Sequence, residues 1–510
     1  MSDRGRRRGP RSRRTAGPPR AAAYRQLVNP FVPLEVLSED DVDRVHRSAL
    51  RLLADAGIRV LLPDARRRFA AAGCTVDEAE QLVRLDPDVV EHAIQTAPGE
   101  FQLAPRGEHR RLRIGGRHVV TMPVGGPPHA SDLERGRRTG SLEDFTNLVR
   151  LVQHYDVLHA TAPLVEPQDV PLHLRHLHMT HALLTLSDKA PFVYSRGDAQ
   201  VADCLEMIRI VHGLDAAGLA ATPRCYTVIN TNSPRQIDVP MAQGAIQFAE
   251  AGQVVVVTPF TLAGAMAPVT LPGALTLQHA EALAGITLTQ LASPGAPVVY
   301  GGFTSNVDMR SGAPAFGTPE MAAAALASGQ LARHLGLPWR SSAANTSNSP
   351  DAQAGYETMM STLGAVLGGA NLILHTAGWV ESGLTASYEK LILDVEMLQM
   401  LAELFRPMTA SDPELAIDAI ASVPPGGHFF GIDHTLARYD RAFYEPIVFA
   451  RQSFGQWSEA GMPTSASRAT PVWKQVLAEF EPPPMDHTVR AELDDFVARR
   501  TAEGGAASND

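Results

Sequence analysis

The chain has 510 residues, of which 45% are hydrophobic and 20% charged, and carries a formal net charge of −10. That balance describes a soluble globular protein able to bury one large core plus a smaller domain or extensions. No apolar run reaches the roughly 18 residues that span a bilayer, and no apolar signal-peptide core follows the basic start, so the sequence argues against a membrane span or secretion and predicts a cytoplasmic protein.

The first 20 residues hold eight Arg and one Asp. Residues 1–29 therefore read as a disordered Arg-rich tail. Everything after the tail is acidic, which speaks against nucleic acid as the main partner. Cys74, Cys204 and Cys225 are far apart and form no CxxC pair, as expected of reduced, unbridged thiols.

Residues 30–117 predict an N-terminal, mostly helical appendage. Its strongest segment, "VDRVHRSALRLLADAG", has Ser38 and Asp41 as a capping-box-like start and Gly57 as a stop. A weaker helix is predicted over about 86–96.

Between 118 and 402, strand-like and helix-like segments alternate eight times. The strand candidates are 118–124, 157–163, 191–195, 225–230, 253–260, 297–303, 338–345 and 371–378. The helices that follow them are 142–153, 171–187, 198–213, 239–251, 276–291, 319–335, 351–368 and 386–402. Eight βα units in this length predict a (β/α)8 TIM barrel. A doubly wound sheet would want a Gly-rich dinucleotide turn, and "PVGGPP" is not one. Residues 403–498 predict a C-terminal helical extension, and 499–510 a disordered tail.

The densest histidine cluster, "HLRHLHMTH" at 173–181, falls in a predicted helix. Its four imidazoles spread around that helix, so no protein-ligated metal is predicted. There is no GxSxG elbow and no P-loop. The chain has only three lysines, Lys189, Lys390 and Lys474. Lys390 falls within a predicted helix and Lys189 and Lys474 outside the predicted barrel mouth, which disfavours Schiff-base lyase or aldolase chemistry.

The strand ends instead offer aromatic rings and amides. Tyr194, Phe260, Phe303, Trp339 and Trp379 fall at or just beyond strands, beside Asn306, Asp308, Asn345, Asn348, His375 and Glu381. Together they form the predicted substrate-binding set. Aromatic faces with a few amides and an acid suit a cation that has no hydrogen-bond donors, such as a quaternary ammonium. A plainer reading has the rings filling the core, Asp308 and Arg310 stapling their own loop, and Gly301 and Gly302 allowing a tight turn.

Several long stretches carry a resemblance: "VGGPPHASDLERGRRTGSLEDF", "NTNSPRQID", "TPFTLAGAMAPVTLPGAL", "PGAPVVYGGFTSNVDMRSGAPAFGTPE", "LGGANLILHTAGWVESGLTASYEKLILDVEML" and "PGGHFFGIDHT". Through them the sequence resembles the trimethylamine methyltransferase (MttB-type) family, which includes glycine betaine methyltransferases, from about residue 30 to 485. The resemblance implies a barrel enzyme that passes a methyl group from a methylated amine to Co(I) of a separate cognate corrinoid protein. The chain itself would then bind no cofactor and need no catalytic nucleophile of its own.

Trimethylamine-specific members of that family carry pyrrolysine, whereas every position here is a standard residue. The resemblance therefore implies a quaternary amine such as glycine betaine. For a substrate with a carboxylate, the predicted strand ends offer Asn345, Asn348 or Arg340 to grip it. Trimethylamine transfer proper and a non-catalytic quaternary-amine-binding barrel are the alternatives. A homo-oligomer is compatible with the chain's size, though no motif specifies one.

Overall fold

A computed structural model describes residues 24–508. Its centre is a run of six parallel strands: β1 (His118–Thr121), β2 (Tyr226–Ile229), β3 (Val254–Val257), β4 (Val298–Gly301), β5 (Trp339–Ser342) and β6 (Leu372–Leu374). They hydrogen-bond in the order β1-β6-β5-β4-β3-β2. β3 is Val-Val-Val-Val and is buried at every position, as a parallel strand covered on both faces should be.

Two predicted strands, 157–163 and 191–195, are reduced to single parallel bridges, Ala160 to Ala190 and Phe192 to Tyr226. From the far side of these bridges the His159 N–H donates to Thr121 O on β1 at 2.9 Å. The architecture is thus a mixed α/β fold built on a parallel sheet.

A helix follows each strand or bridged segment: α1 (Leu142–His154), α2 (Leu172–Leu186), α3 (Asp198–His212), α4 (Val239–Glu250), α5 (Leu271–Ala292), α6 (Pro319–His334), α7 (Ala352–Leu367) and α8 (Tyr388–Leu404). Their starts follow local chemistry. Ser141, Asp238, Thr318 and Asp351 each accept a backbone N–H of the first turn, and Pro319 occupies the first turn of α6. α5 is buried on nearly all sides. Its inner face meets the sheet, and helices Glu39–Asp55 and Pro87–Thr96 cover its outer face, which explains why it lacks a polar stripe.

The N-terminal region differs from the mostly helical expectation. Three helices alternate with the short strands Ile58–Val60, Thr75–Asp77, Leu82–Arg84, Phe101–Leu103 and Leu112–Ile114. The first three of these strands form a sheet with Gln236–Ile237. Three-residue strands are too short to show an alternation in sequence.

Both predicted tails are also trimmed. Residues 1–23 lie outside the described residues, but Leu27–Val28 pairs antiparallel with β1. At the other end, helix His487–Ala502 runs past 498, and the Ala506 N–H donates to His173 O at 3.0 Å.

Candidate functional site

A cavity of about 450 Å³ opens at the carboxyl ends of the parallel strands, the place where ligands bind in such sheets. Two aromatic walls line it. On one side are Phe260, Phe303, His375 and Trp379, and on the other Phe192, Tyr194 and Tyr226.

The first wall is assembled by strand register. Beyond β3 and β4 the chain forms a second parallel pair, Phe260–Ala263 with Phe303–Val307, in which Phe260 stands directly opposite Phe303. Their rings meet edge-on at 5.2 Å. Phe303 lies 5.6 Å from the His375 ring, and His375 lies 4.2 Å from Trp379. On the second wall Phe192 packs at right angles to Tyr194, 4.9 Å away. Arg196 stacks 3.8 Å over the Tyr194 ring while Glu166 holds its guanidinium at 3.0 Å.

Gly301 and Gly302 have ordinary negative-φ backbones, so a turn is not what requires them. A Cβ on Gly301 would sit 2.4 Å from Val257 O, and one on Gly302 would sit 2.6 Å from Gln278 Oε1. They allow close packing between neighbouring elements.

Arg340 completes the site. It is 2% exposed and lines the cavity from β5. Its guanidinium lies 5.4 Å from the Phe303 centroid, and its Nη1 donates only a long 3.3 Å bond to Gly302 O. Nε has no partner, and no described carboxylate pairs with the side chain. Desolvation by burial lowers its pKa to about 9, partly offset by Tyr226, so it stays cationic at pH 7. Buried cations are normally paired, and this one points at a cavity.

His375 has the opposite character. Burial, followed by the Arg340 charge, holds its pKa well below the usual 6.5. A neutral ring therefore faces the cavity, with Nδ1 2.7 Å from Ser342 Oγ. Its backbone φ of 62° is uncommon for a non-glycine residue, and such strain gathers at functional sites.

Of the predicted set, Tyr194, Phe260, Phe303, His375 and Trp379 line this cavity. The other six do not. Trp339 precedes Arg340 in β5 and so faces the opposite way, lining a separate cavity at the amino ends of the strands with Phe31 and Arg333. Asn306 accepts from Thr318 Oγ1 at 2.9 Å, and exposed Asp308 caps its own loop through Ser311 Oγ and the Arg310 N–H. Glu381 is clamped by Arg137 at 2.7 and 3.0 Å. Asn348 is exposed. Asn345 is buried behind Trp379 and supports it.

Phe192, Tyr226, Met241 and Arg196 are lining residues outside the predicted set. One signal for Arg340 was present in sequence, since a lone charge inside an otherwise buried strand needs a reason.

None of the three lysines lines the cavity. Lys189 Nζ donates to Val152 O and Tyr155 O, Lys390 pairs with Asp394, and Lys474 pairs with Glu134. In the histidine cluster, His176 and His181 bond to Asp203 and Asp494 on other helices. Among the described residues no group of three or more His, Cys, Asp or Glu side chains is placed to hold a metal, and no helix is long and apolar enough to cross a membrane.

A deep aromatic pocket with one unpaired cation on a parallel α/β frame defines a protein for small organic ligands. The sequence profile of the trimethylamine methyltransferase (MTTB) family matches residues 3–505. Glycine betaine methyltransferase of Desulfitobacterium hafniense strain Y51 is 36% identical over 472 residues, covering 92% of this chain and 98% of that protein. Trimethylamine methyltransferase MttB of D. hafniense strain DSM 10664 / DCB-2 is 29% identical, covering 92% and 95%. The crystal structure of monomethylamine methyltransferase (MtmB) from Methanosarcina barkeri shares the fold, with a TM-score of 0.51 over 90% of this chain and 88% of that one at 12% identity. The chain belongs to the trimethylamine methyltransferase family, and it is a methyltransferase acting on methylated amines.

Proposed function

We propose that the protein moves a methyl group from a quaternary amine bearing a carboxylate, glycine betaine or a close relative, to the Co(I) of a cognate corrinoid protein in the cytosol. The observation that carries this reading is Arg340, an unpaired buried guanidinium on the same cavity wall as Phe303, His375 and Trp379. A zwitterion matches both features, its carboxylate on Arg340 and its trimethylammonium against the rings. Because His375 is neutral, it adds no charge to repel the ammonium.

A cavity of about 450 Å³ suits the amine and is far too small for a corrin ring, so the corrinoid would approach from the open side. The corrinoid supplies the nucleophile. The residues of this chain bind the amine, hold one N–CH3 bond toward the opening and keep water from the cationic head. The C–N bond breaks with its electron pair staying on nitrogen, which leaves as a neutral tertiary amine, so no acid or base is needed.

We also read the sheet as a closed (β/α)8 barrel spanning 118–402. The six paired strands, the two bridged segments and the His159 to Thr121 bond support this reading. In that reading 30–117 is an appendage seated on α5 and 403–498 an extension. Calorimetric titration tests the substrate assignment. Glycine betaine should bind at least about 10-fold more tightly than choline or trimethylamine; equal affinity for choline would remove the role given to Arg340.

A further inference from the structure

Behind the Phe303 wall runs a line of polar side chains, none of which lines the cavity. It starts in the N-terminal region, where half-exposed Glu91 on helix Pro87–Thr96 meets His46 on helix Glu39–Asp55. It continues through His279 on α5, Tyr300 on β4 and Gln278 on α5, and ends at Thr304, one residue past Phe303. His279, Tyr300 and Gln278 are fully buried, and no buried polar atom in the line lacks a partner. A buried polar network that is completely satisfied specifies one arrangement of the groups around it.

With both imidazoles neutral, each proton has one place to go. Glu91 can only accept, so His46 Nε2 donates to it at 2.8 Å, and the bare His46 Nδ1 accepts from His279 Nε2 at 2.9 Å. His279 Nδ1 then accepts the Tyr300 hydroxyl proton at 2.9 Å. Burial keeps this imidazole neutral by holding its pKa well below 6.5. Tyr300 Oη is left only as an acceptor, so Gln278 turns its NH2 group toward it at 3.2 Å and toward Ser328 Oγ on α6 at 3.0 Å. The amide oxygen is thereby committed to the other side, where it accepts from Thr304 Oγ1 at 2.6 Å.

That same oxygen is the atom a Cβ on Gly302 would strike. Gln278 therefore touches the residues on both sides of Phe303. Side chains alternate faces along a strand, so pinning Thr304 to α5 presents the Phe303 ring to the cavity.

We propose that Gln278 and Thr304 are positioning residues for amine recognition. Their hydrogen bond holds the strand at 302–304 against α5 so that Phe303 meets the ammonium, and the line from Glu91 fixes which way the Gln278 amide faces. The proposal rests on the reading of the cavity as a quaternary-amine site.

Calorimetric titration of glycine betaine, and of 3,3-dimethylbutanoate, which has carbon in place of the ammonium nitrogen, into the wild type and the variants T304V, T304S and Q278M tests it. T304V, which lacks the hydroxyl, should bind glycine betaine about 10-fold more weakly while changing by less than about 2-fold for 3,3-dimethylbutanoate. T304S keeps the hydroxyl and should bind both ligands as the wild type does. Q278M should reproduce the T304V loss, and the double variant should lose no more than T304V alone, because both substitutions break one bond. Thermal unfolding identifies any variant that does not fold; if T304V is one, Q278M against the wild type makes the same test. If the wild type binds glycine betaine, then equally tight binding by T304V or Q278M, a loss in T304S as large as in T304V, or equal losses for the two ligands would overturn the proposal. A wild type that binds no glycine betaine would instead remove the quaternary-amine reading beneath it.

Discussion

Asn345 and Trp379 exchange hydrogen bonds. Asn345 Nδ2 donates to Trp379 O at 2.6 Å, and Trp379 Nε1 donates to Asn345 O at 3.0 Å. The pair joins the loop after β5 to the loop after β6 and fixes the plane of the ring that faces the cavity. Gly383 crowds the same ring from outside, since a Cβ there would stand 2.4 Å from it.

Asn345→Ala should therefore cost about 1–3 kcal/mol of stability, because it strips donors from two buried acceptors. It should also raise KM for the amine more than it lowers kcat. Thermal unfolding with steady-state kinetics measures both, and unchanged values in the variant would mean that Trp379 is held by packing and by its own bond to the backbone carbonyl of residue 345.

Arg340→Met separates the two ends of the substrate. Losing a charge-assisted contact worth about 1.5–3 kcal/mol should weaken glycine betaine binding by roughly 10- to 150-fold. Tetramethylammonium, which has no carboxylate, should bind the variant and the wild type alike. Because Arg340 is buried without a carboxylate partner, the variant should be as stable as the wild type or more so. Titrating both ligands into both proteins provides the check.

Trp379→Leu addresses the cationic end. It should cost glycine betaine about 0.5–2 kcal/mol of cation–π energy and leave 3,3-dimethylbutanoate, its isostere with an uncharged tert-butyl head, nearly unaffected. Equal losses for the two ligands would show that the wall contributes shape rather than charge recognition.

Acid should destabilise the protein through its buried neutral imidazoles. Burial lowers the pKa of His159 from 6.5 to about 4, and it holds His279 and His375 well below 6.5. In this window the unfolded chain takes up protons that the folded chain refuses. Stability is therefore full above about pH 6.5 and is lost as pH falls, by about 1.4 kcal/mol per pH unit for His159 down to about pH 4. Urea unfolding at stepped pH tests this, and stability that is flat from pH 7 to 5 would contradict it.

The parallel frame was legible because buried strands and capped helices are local features. The run at 253–260 and the Thr318-Pro319 cap appear in the structure as β3 and the start of α6. The strands at 157–163 and 191–195 shrink to bridges because their pairing depends on neighbours rather than on their own residues. Within the site, the rings Phe260 and Phe303 were legible because they sit within three residues of a strand end. Apart from His375 and Arg340, the polar members were not. Whether Asp308 or Glu381 faces the cavity depends on Ser311 and Arg137, partners whose approach no spacing reveals. Trp339 and Arg340 differ by one residue and so by one face of the sheet.

The central claim is tested most directly by mixing the purified protein, its cognate corrinoid protein reduced to Co(I), and glycine betaine, while following cobalt methylation by absorbance and the amine product by mass spectrometry. The account predicts one equivalent of N,N-dimethylglycine per methylated cobalt, with little or no methylation from trimethylamine. Methylation from trimethylamine but not from glycine betaine would contradict it, as would no methylation when calorimetry shows glycine betaine bound.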